Sequence, residues 1–316
     1  MDMTCRPVFS RGSGLGNRLF PWARCKLFAR KSGARMLAPR WLNLRLGPIA
    51  RGDVLLLHWR RQILLQGLFK PLEDEITGLP RIVAEFVSRR VPEDQTASLR
   101  KEEAWRPRLV EFAGDRRHFL DLVGEEAWLL SSLREMTRDR WLSLAGTKEV
   151  PAIALNVRCA KDFPEARTVD MVHPRGPVRT PIGWFRAVLR QIRKTSGHDV
   201  PAVVVSDGST EELEDLLREP RVSLLRPGCA ISDLLVLSSA RVLIASGGSS
   251  FGAWASFLGG MPTVTLPGQS YSWFKLPATP GQFVGTFDLS APDPEFLRSA
   301  AFAIDRGGRC GSTTFR

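Results

Sequence analysis

The chain has 316 residues, 43% hydrophobic and 25% charged, enough for one large or two ordinary globular domains with a proper core. No apolar run approaches the roughly 20 residues of a transmembrane helix, and the five scattered cysteines (Cys5, Cys25, Cys159, Cys229, Cys310) form no CxxC pair, which argues against a disulfide framework or a zinc site. The net charge of +12 is concentrated in residues 1–70, where 14 Lys and Arg face two acids, Asp2 and Asp53, while the rest of the chain is balanced. Such a basic region suits an acidic membrane surface, an anionic acceptor or a nucleic acid, or serves only as a solvated surface. The opening stretch MDMTCRPVFSRGSGLG has no apolar signal core, so a cytoplasmic location is expected.

In chain order, RPVFS (residues 6–10) reads as a strand and is followed by a glycine-rich loop, Arg11 to Arg18, that includes Gly14, Gly16 and Asn17. Leu19, Trp22, Ala23, Leu27 and Phe28 recur at helical spacing, Gly33 stops that helix, and residues 35–38 read as the next strand. The loop has the physics of an anion site. It lacks the third glycine of the dinucleotide fingerprint, where Asn17 stands, and the Gly-Lys-Ser/Thr ending of a P-loop. Residues 53–70 mix apolar and basic side chains and read as a partly buried strand and helix, with a membrane-facing groove as the alternative. Helices are expected near 81–90, 108–122 and 125–143, and a linker at 146–150. This sets an N-terminal domain at 1–147 and a C-terminal domain at 148–316.

From Pro151 the pattern is regular. Strands are expected at 152–157, 202–205, 222–225, 242–244 and 263–266, with helices at 181–194, 209–217, 232–240 and 251–258. Short, continuously apolar strands alternating with helices indicate a doubly wound parallel sheet covered on both faces. Ligands in such sheets bind beyond the carboxyl ends of the strands. The residues there are Asn156, Arg158, Lys161 and Asp162 after the first strand, Ser206, Asp207 and Gly208 after the second, and Ser246 to Ser250 after the fourth. Cations, carboxylates, hydroxyls and a helix N-terminus on one edge suit a nucleoside diphosphate: Arg grips phosphate oxygens, and Asp accepts from a ribose hydroxyl or a base N–H. Each feature alone also has a local explanation, a surface ion pair for Arg158 and Asp162 and a helix cap or Asx turn for Asp207. In Arg241–Pro267, Ser249 and Ser250 are the functional candidates, whereas Phe251, Trp254 and Phe257 suit packing of the helix against the sheet.

These residues also carry a resemblance. GLGNRLFPWARCKLFARKSGA is similar to the N-terminal GGLGNQLFQYA-type motif of the bacterial alpha-1,2-fucosyltransferases, glycosyltransferase family 11. Asn156 to Asp162 sits where that superfamily has HxRxGD, Ser206-Asp207-Gly208 resembles its SDD motif, and Ser249 to Gly259 resembles SSFSWWAAWL. The four matches are in order and span residues 12–267. The departures are Asn156 for the motif's His, an Asp162 displaced by one residue behind Lys161, and Gly208 for the second Asp of SDD.

The resemblance implies a GT-B enzyme, α/β with two Rossmann-like domains. Its C-terminal domain would hold GDP-fucose through Asn156, Arg158, Asp162, Ser206, Asp207, Ser249 and Ser250. Its N-terminal domain would present the acceptor, with Gly14, Gly16, Asn17 and Arg18 on a cleft or phosphate-side loop. It implies an inverting, metal-independent transfer of fucose to a glycan or lipid-linked hydroxyl, with Arg158 stabilising the leaving diphosphate and no cofactor beyond the donor co-substrate. Asp288 and Asp293 lie outside the apparent donor site and form no DxD motif there. His58, His118, His173 and His198 and several acids are open candidates for a general base, and residues 163–180 for a lid. Two competing readings are a nucleotide-sugar-binding protein without turnover and a transferase using another GDP-sugar. No stacking motif supports specific nucleic-acid binding, and peripheral contact with an anionic inner-membrane surface is an expectation of the basic region.

Overall fold

The computed structural model describes residues 3–41, 65–98, 107–146, 150–159, 178–225, 229–277 and 282–309. The chain divides into two compact units, Met1–Leu142 and Ser143–Arg316.

In the first unit, β1 (Met3–Val8) leads into α1 (Leu15–Ser32) and β2 (Arg35–Met36). Then come α2 (Gly78–Val87), β3 (Arg89–Pro92), β4 (Arg108–Ala113), α3 (Glu126–Met136) and α4 (Asp139–Ala145), within which the division between units falls. The sheet is parallel in the order β2-β1-β4-β3. α1 stops at Gly33, whose φ of 72° places it in the left-handed region and lets its N–H reach the Ala29 carbonyl at 3.0 Å. The helix expected at 108–122 is instead β4, followed by a turn and a short 3₁₀ segment at Leu120–Leu122. Leu109, Val110 and Phe112 are buried between two neighbouring strands, and Glu111 stands opposite Arg6 in register and accepts its Nε–H at 3.0 Å. That cross-strand ion pair and the two-sided burial decide the segment for a strand. The helix expected at 81–90 ends at Val87, and the chain continues as β3.

The basic N-terminal region is partly internal. Arg18, Arg24 and Lys26 on α1 are buried. Arg24 pairs with Glu93 at 3.1 Å and donates to the carbonyls of Ala113 and Gly114, while Lys26 pairs with Asp74 at 2.9 Å. Most of residues 53–70 lies outside the described residues; of its end, Leu65, Leu68 and Phe69 are buried.

The second unit alternates β5 (Ile153–Val157), α5 (Ile182–Ser196), β6 (Ala202–Ser206), α6 (Glu214–Leu217), β7 (Val222–Leu224), α7 (Ala230–Ser239), β8 (Val242–Ala245), α8 (Ser250–Gly259), β9 (Thr263–Thr265), β10 (Val284–Thr286) and α9 (Pro294–Arg309). Its sheet is parallel throughout, in the order β7-β6-β5-β8-β9-β10. Ile153, Leu155 and Val157 point to one face, into a core with Phe185 and Leu189 of α5 and Phe296 of α9. Strand alternation sends Ala154 and Asn156 to the other face, which α7 and α8 cover with Trp254 and Phe257 buried. The α-helix expected over 209–217 is confined to Glu214–Leu217 and preceded by turns.

The chain leaves β5 in one direction to build β6 and β7 and returns on its other side to build β8, β9 and β10. The sheet therefore has its switch point between β5 and β8, where the carboxyl ends of the two strands open a crevice for a ligand.

Candidate functional site

The ends of β5 and β8 are joined across this switch point. The Ser246 N–H donates to the Asn156 carbonyl at 2.9 Å, and the Arg158 N–H donates to Ser246 Oγ at 3.0 Å. From the far side of β5, Asp207 at the end of β6 reaches over the same edge. Its Oδ2 lies 2.7 Å from Arg158 Nη1, and its Oδ1 accepts the Cys159 N–H at 2.7 Å. Arg158 is thus fixed through its backbone by β8 and through its side chain by β6. The two side chains keep 27% and 16% of their surface exposed, so the pair stays open to a ligand. A guanidinium carries five donors, and holding Asp207 is compatible with gripping a phosphate. Arg179 adds a second cation at this edge, donating to the Cys159 carbonyl and pairing with Glu212 at 3.2 Å.

The turn from β8 into α8 is shaped by two glycines. Gly248 has φ of 67°, and a Cβ at Gly247 would lie 2.2 Å from both Cβ and O of Gln269, so the backbones meet where a side chain has no room. Gln269 is fully buried and held by Thr180 Oγ1 and the Val178 carbonyl at 3.3 and 3.1 Å. Ser249 is the N-cap of α8, its Oγ accepting the Gly252 N–H at 3.4 Å. The first-turn N–H groups of a helix lack intrahelical partners and sit at the positive end of its dipole, so this terminus favours an anion.

Below the turn, Tyr271 donates its hydroxyl to the Ser246 carbonyl at 3.2 Å, and burial pushes the phenol well above its ordinary value, so it stays neutral. A Cβ at Gly252 would stand 2.2 Å from that hydroxyl and 2.9 Å from Asn156 Oδ1. Asn156 is 2% exposed, and its Oδ1 has no hydrogen-bond partner among the described residues.

The second unit therefore brings together Asn156, Arg158, Ser206, Asp207, Ser249 and Ser250. Ser206 Oγ accepts the Gly208 N–H at 2.9 Å, holding the turn after β6, and Ser250 begins α8. Gly208 is closely packed: a Cβ there would lie 2.8 Å from Cys159 Sγ and 2.9 Å from its Cβ. Burial pushes the Cys159 thiol up, so it acts as a small apolar filler rather than a thiolate. Lys161 and Asp162 lie outside the described residues, as do residues 163–177 of the expected lid, so the expected Arg158–Asp162 pair falls there too; among the described residues Arg158 pairs with Asp207.

Gly14, Gly16, Asn17 and Arg18 belong to the first unit. Gly14 is the N-cap of α1, Gly16 is buried, Asn17 is exposed, and Arg18 turns inward, its Nε donating to the Ser13 carbonyl at 3.1 Å beneath the Phe9 ring. Of the histidines, His118 is buried edge-on against Phe20, His198 is exposed with Nδ1 2.9 Å from the Ser196 carbonyl, and His58 and His173 lie outside the described residues. Sequence reasoning missed Ser246 as the acceptor for Arg158, and also Arg179, Gln269 and Tyr271. The last two follow β9 and would have emerged from reading that strand's carboxyl end like the others.

No protein-family model matches the sequence, and no curated protein does. Solved structures match over most of the chain. An alpha-1,6-fucosyltransferase, NodZ, soaked with GDP-fucose is 16% identical with a TM-score of 0.50, over 84% of this chain and 96% of that one. NodZ from Bradyrhizobium is 15% identical with a TM-score of 0.51, over 85% and 97%. NodZ co-crystallised with GDP is 14% identical with a TM-score of 0.51, over 84% and 96%. The chain has the α/β, GT-B-like fold of these fucosyltransferases, with its two parallel sheets. The likeness is one of fold, and being to an alpha-1,6 enzyme it does not single out the alpha-1,2 family that the motifs resemble.

Proposed function

We propose that the protein is a fucosyltransferase-like glycosyltransferase that binds GDP-fucose at the β5/β8 switch point and passes the sugar to a hydroxyl of a glycan or lipid-linked acceptor. The observation that carries this reading is Arg158, pinned between Asp207 and Ser246 beside the N-terminus of α8. The GDP-fucose and GDP carried by structures of the same fold supply the donor class. In the transfer, an acceptor oxygen attacks the anomeric carbon with inversion, the bond from that carbon to the diphosphate oxygen breaks, and its electron pair leaves with GDP. The hydroxyl proton passes to a base. Negative charge grows on the leaving diphosphate, and Arg158 with the N–H groups and hydroxyls at Ser249 and Ser250 is disposed to stabilise it. These donors serve as the electrophilic group, so the reading includes no metal.

The alpha-1,2 assignment rests on the four sequence motifs, and donor binding by the second unit with acceptor presentation by the first rests on the same resemblance. Asp162 belongs to the proposed donor set by motif position, and Gly14, Gly16, Asn17 and Arg18 to the acceptor-side loop. A cytoplasmic place at the inner face of a membrane fits the basic first unit. No described helix is long and apolar enough to cross a membrane.

A second reading, donor binding without turnover, is favoured by Gly208 and Cys159, which leave no room for a second carboxylate after β6. A thermal-shift panel of GDP, UDP, ADP and CMP, followed by assays of GDP-fucose hydrolysis and transfer, separates the readings. Selective stabilisation by GDP with turnover supports the transferase. GDP binding with neither hydrolysis nor transfer supports the binding protein. Stabilisation by a uridine or adenine nucleotide and not by GDP overturns both.

A further inference from the structure

α2 is inside out. Its charged residues face the sheet: Arg81 and Glu85 keep only 13% and 14% of their side-chain surface, and Glu85 accepts from Arg81 at 2.8 Å, Arg6 at 2.9 Å and Arg40 at 3.1 Å. Its apolar residues face outward, with Phe86 88%, Leu79 71%, Val87 51%, Val83 49% and Ile82 48% exposed. An ordinary surface helix buries the stripe that this one exposes. Five large apolar side chains on ten residues form a contiguous patch of the kind that marks an interaction surface. Behind it lies a groove of about 510 Å³, lined by Ile76, Leu79, Val83 and Val87 with Arg35 at its rim.

The charge around the patch says what meets it. Arg35, Arg89 and Arg90 are exposed at the amino ends of β2 and β3, beside α2. Among the described residues, Glu85 of α2 and Glu111 of β4 are both engaged by arginines, Glu111 by Arg6 and, at 3.8 Å, by Arg90. An apolar helix face framed by cations is complementary to a bilayer whose surface is anionic and whose interior is apolar. We propose that α2 is an interfacial anchor: Leu79, Ile82, Val83 and Phe86 enter the headgroup boundary of an anionic membrane, and Arg35, Arg89 and Arg90 contact its phosphates. The patch lies at the amino edge of the first sheet, so docking leaves the carboxyl edge, where α/β sheets bind ligands, clear of the membrane. This inference does not depend on which nucleotide the second unit takes.

The test is sedimentation of the full chain with vesicles of phosphatidylcholine alone and with about 30% phosphatidylglycerol. Binding to the anionic vesicles only is expected, weakened in about 0.5 M NaCl. Leu79→Ser/Phe86→Ser and, separately, Arg89→Gln/Arg90→Gln should each lower partitioning about ten-fold while leaving thermal unfolding and the nucleotide thermal shift at wild-type values, because all four side chains are exposed. Absence of binding to anionic vesicles, or equal partitioning of the variants and wild type, overturns the proposal. So does concentration-dependent dimerisation that Leu79→Ser/Phe86→Ser abolishes without any vesicle binding, since the patch then meets a second copy of the chain.

Discussion

Whether Asp207 holds Arg158 or holds the nucleotide is decided by a double-mutant cycle. Asp207 accepts from Arg158 Nη1 with one oxygen and from the Cys159 N–H with the other, both at 2.7 Å, so both oxygens help position the residues that follow β5. Arg158→Ala removes the guanidinium and leaves Asp207 anchored by the Cys159 N–H. A charge-assisted hydrogen bond contributes about 1.5–3 kcal/mol net, so GDP affinity should fall about 10- to 100-fold. Arg158→Lys keeps the charge without the planar fork and should recover part of that loss. Asp207→Asn removes the anion that orients Arg158 while keeping an acceptor for Cys159 N–H, and it changes GDP affinity through Arg158 alone. In the Arg158→Ala background the same substitution should then have no further effect, so that the coupling energy equals the whole of the single-mutant effect. Isothermal titration calorimetry of GDP against the wild type, the two single variants and the double variant at one ionic strength reads this directly. Circular dichroism confirms that each is folded. An unchanged GDP affinity in Arg158→Ala refutes the placement of the donor site. Additive effects refute the positioning role and return Asp207 to direct contact with the nucleotide.

Two further outcomes follow from local packing and charge. Gly208→Asp, which restores the motif residue, should lower the melting temperature because its Cβ lands 2.8 Å from Cys159 Sγ, a cost of about 1–3 kcal/mol; pairing it with Cys159→Gly should recover most of the loss, and equal melting temperatures for the single and double variants refute the packing argument. Glu75 is 6% exposed, and burial pushes its carboxyl from 4.5 to about 7 against the opposing pull of the Leu72 N–H and Lys26. Below about pH 4.5 both the folded and unfolded states hold the proton; from there to about pH 7 only the folded state does, so stability falls as pH rises through that window and is flat above it. Glu75→Gln should therefore stabilise the protein by about 3 kcal/mol near pH 8 and by little near pH 4, read by urea unfolding at the two pH values; an equal effect at both refutes it.

The second unit was legible because its determinants are local. Val242-Leu243-Ile244, the small turn residues and the apolar run from Phe251 specify β8, the turn and α8 within one stretch, and Trp254 and Phe257 are buried as the spacing implies. β4 was misread because its identity depends on partners far along the chain. Nothing within RLVEFA announces that Leu109 and Val110 lie between β1 and β3, or that Glu111 will meet Arg6. α2 was found as a helix, yet its periodicity does not say which face turns inward. The inward face is set by partners distant in sequence: Glu85 meets Arg6 and Arg40 as well as Arg81, and nothing in the helix's own spacing announces those two arginines. The bonds that Ser246, Gln269 and Tyr271 make were missed for a third reason, although their places at the ends of β8 and β9 can be read from the strand pattern. Their contacts, with the Arg158 N–H, the Val178 carbonyl and the Ser246 carbonyl, depend on packing that residue type alone does not specify.

The departures from the motif bear on whether the site still binds. A decayed site would show lost side chains with nothing in their place. At Gly208 the room a side chain would need is filled by Cys159, one residue beyond the arginine, and the Gly208 N–H is held by Ser206 Oγ. At Asn156 the neutral amide stands against Gly252, where even a methyl would strike the Tyr271 hydroxyl, and that hydroxyl is itself bound to the Ser246 carbonyl. Asn156 and Gly208 are thus packed and tied to the residues that fix Arg158. Meanwhile the proposed diphosphate-binding elements, the Arg158 guanidinium and the Ser249-capped N-terminus of α8, are in place. With the diphosphate held by Arg158 and the α8 N-terminus as proposed, packed changes at Asn156 and Gly208 are the pattern of altered recognition rather than lost binding. It places the decisive comparison among nucleotides that share a diphosphate and differ in the base.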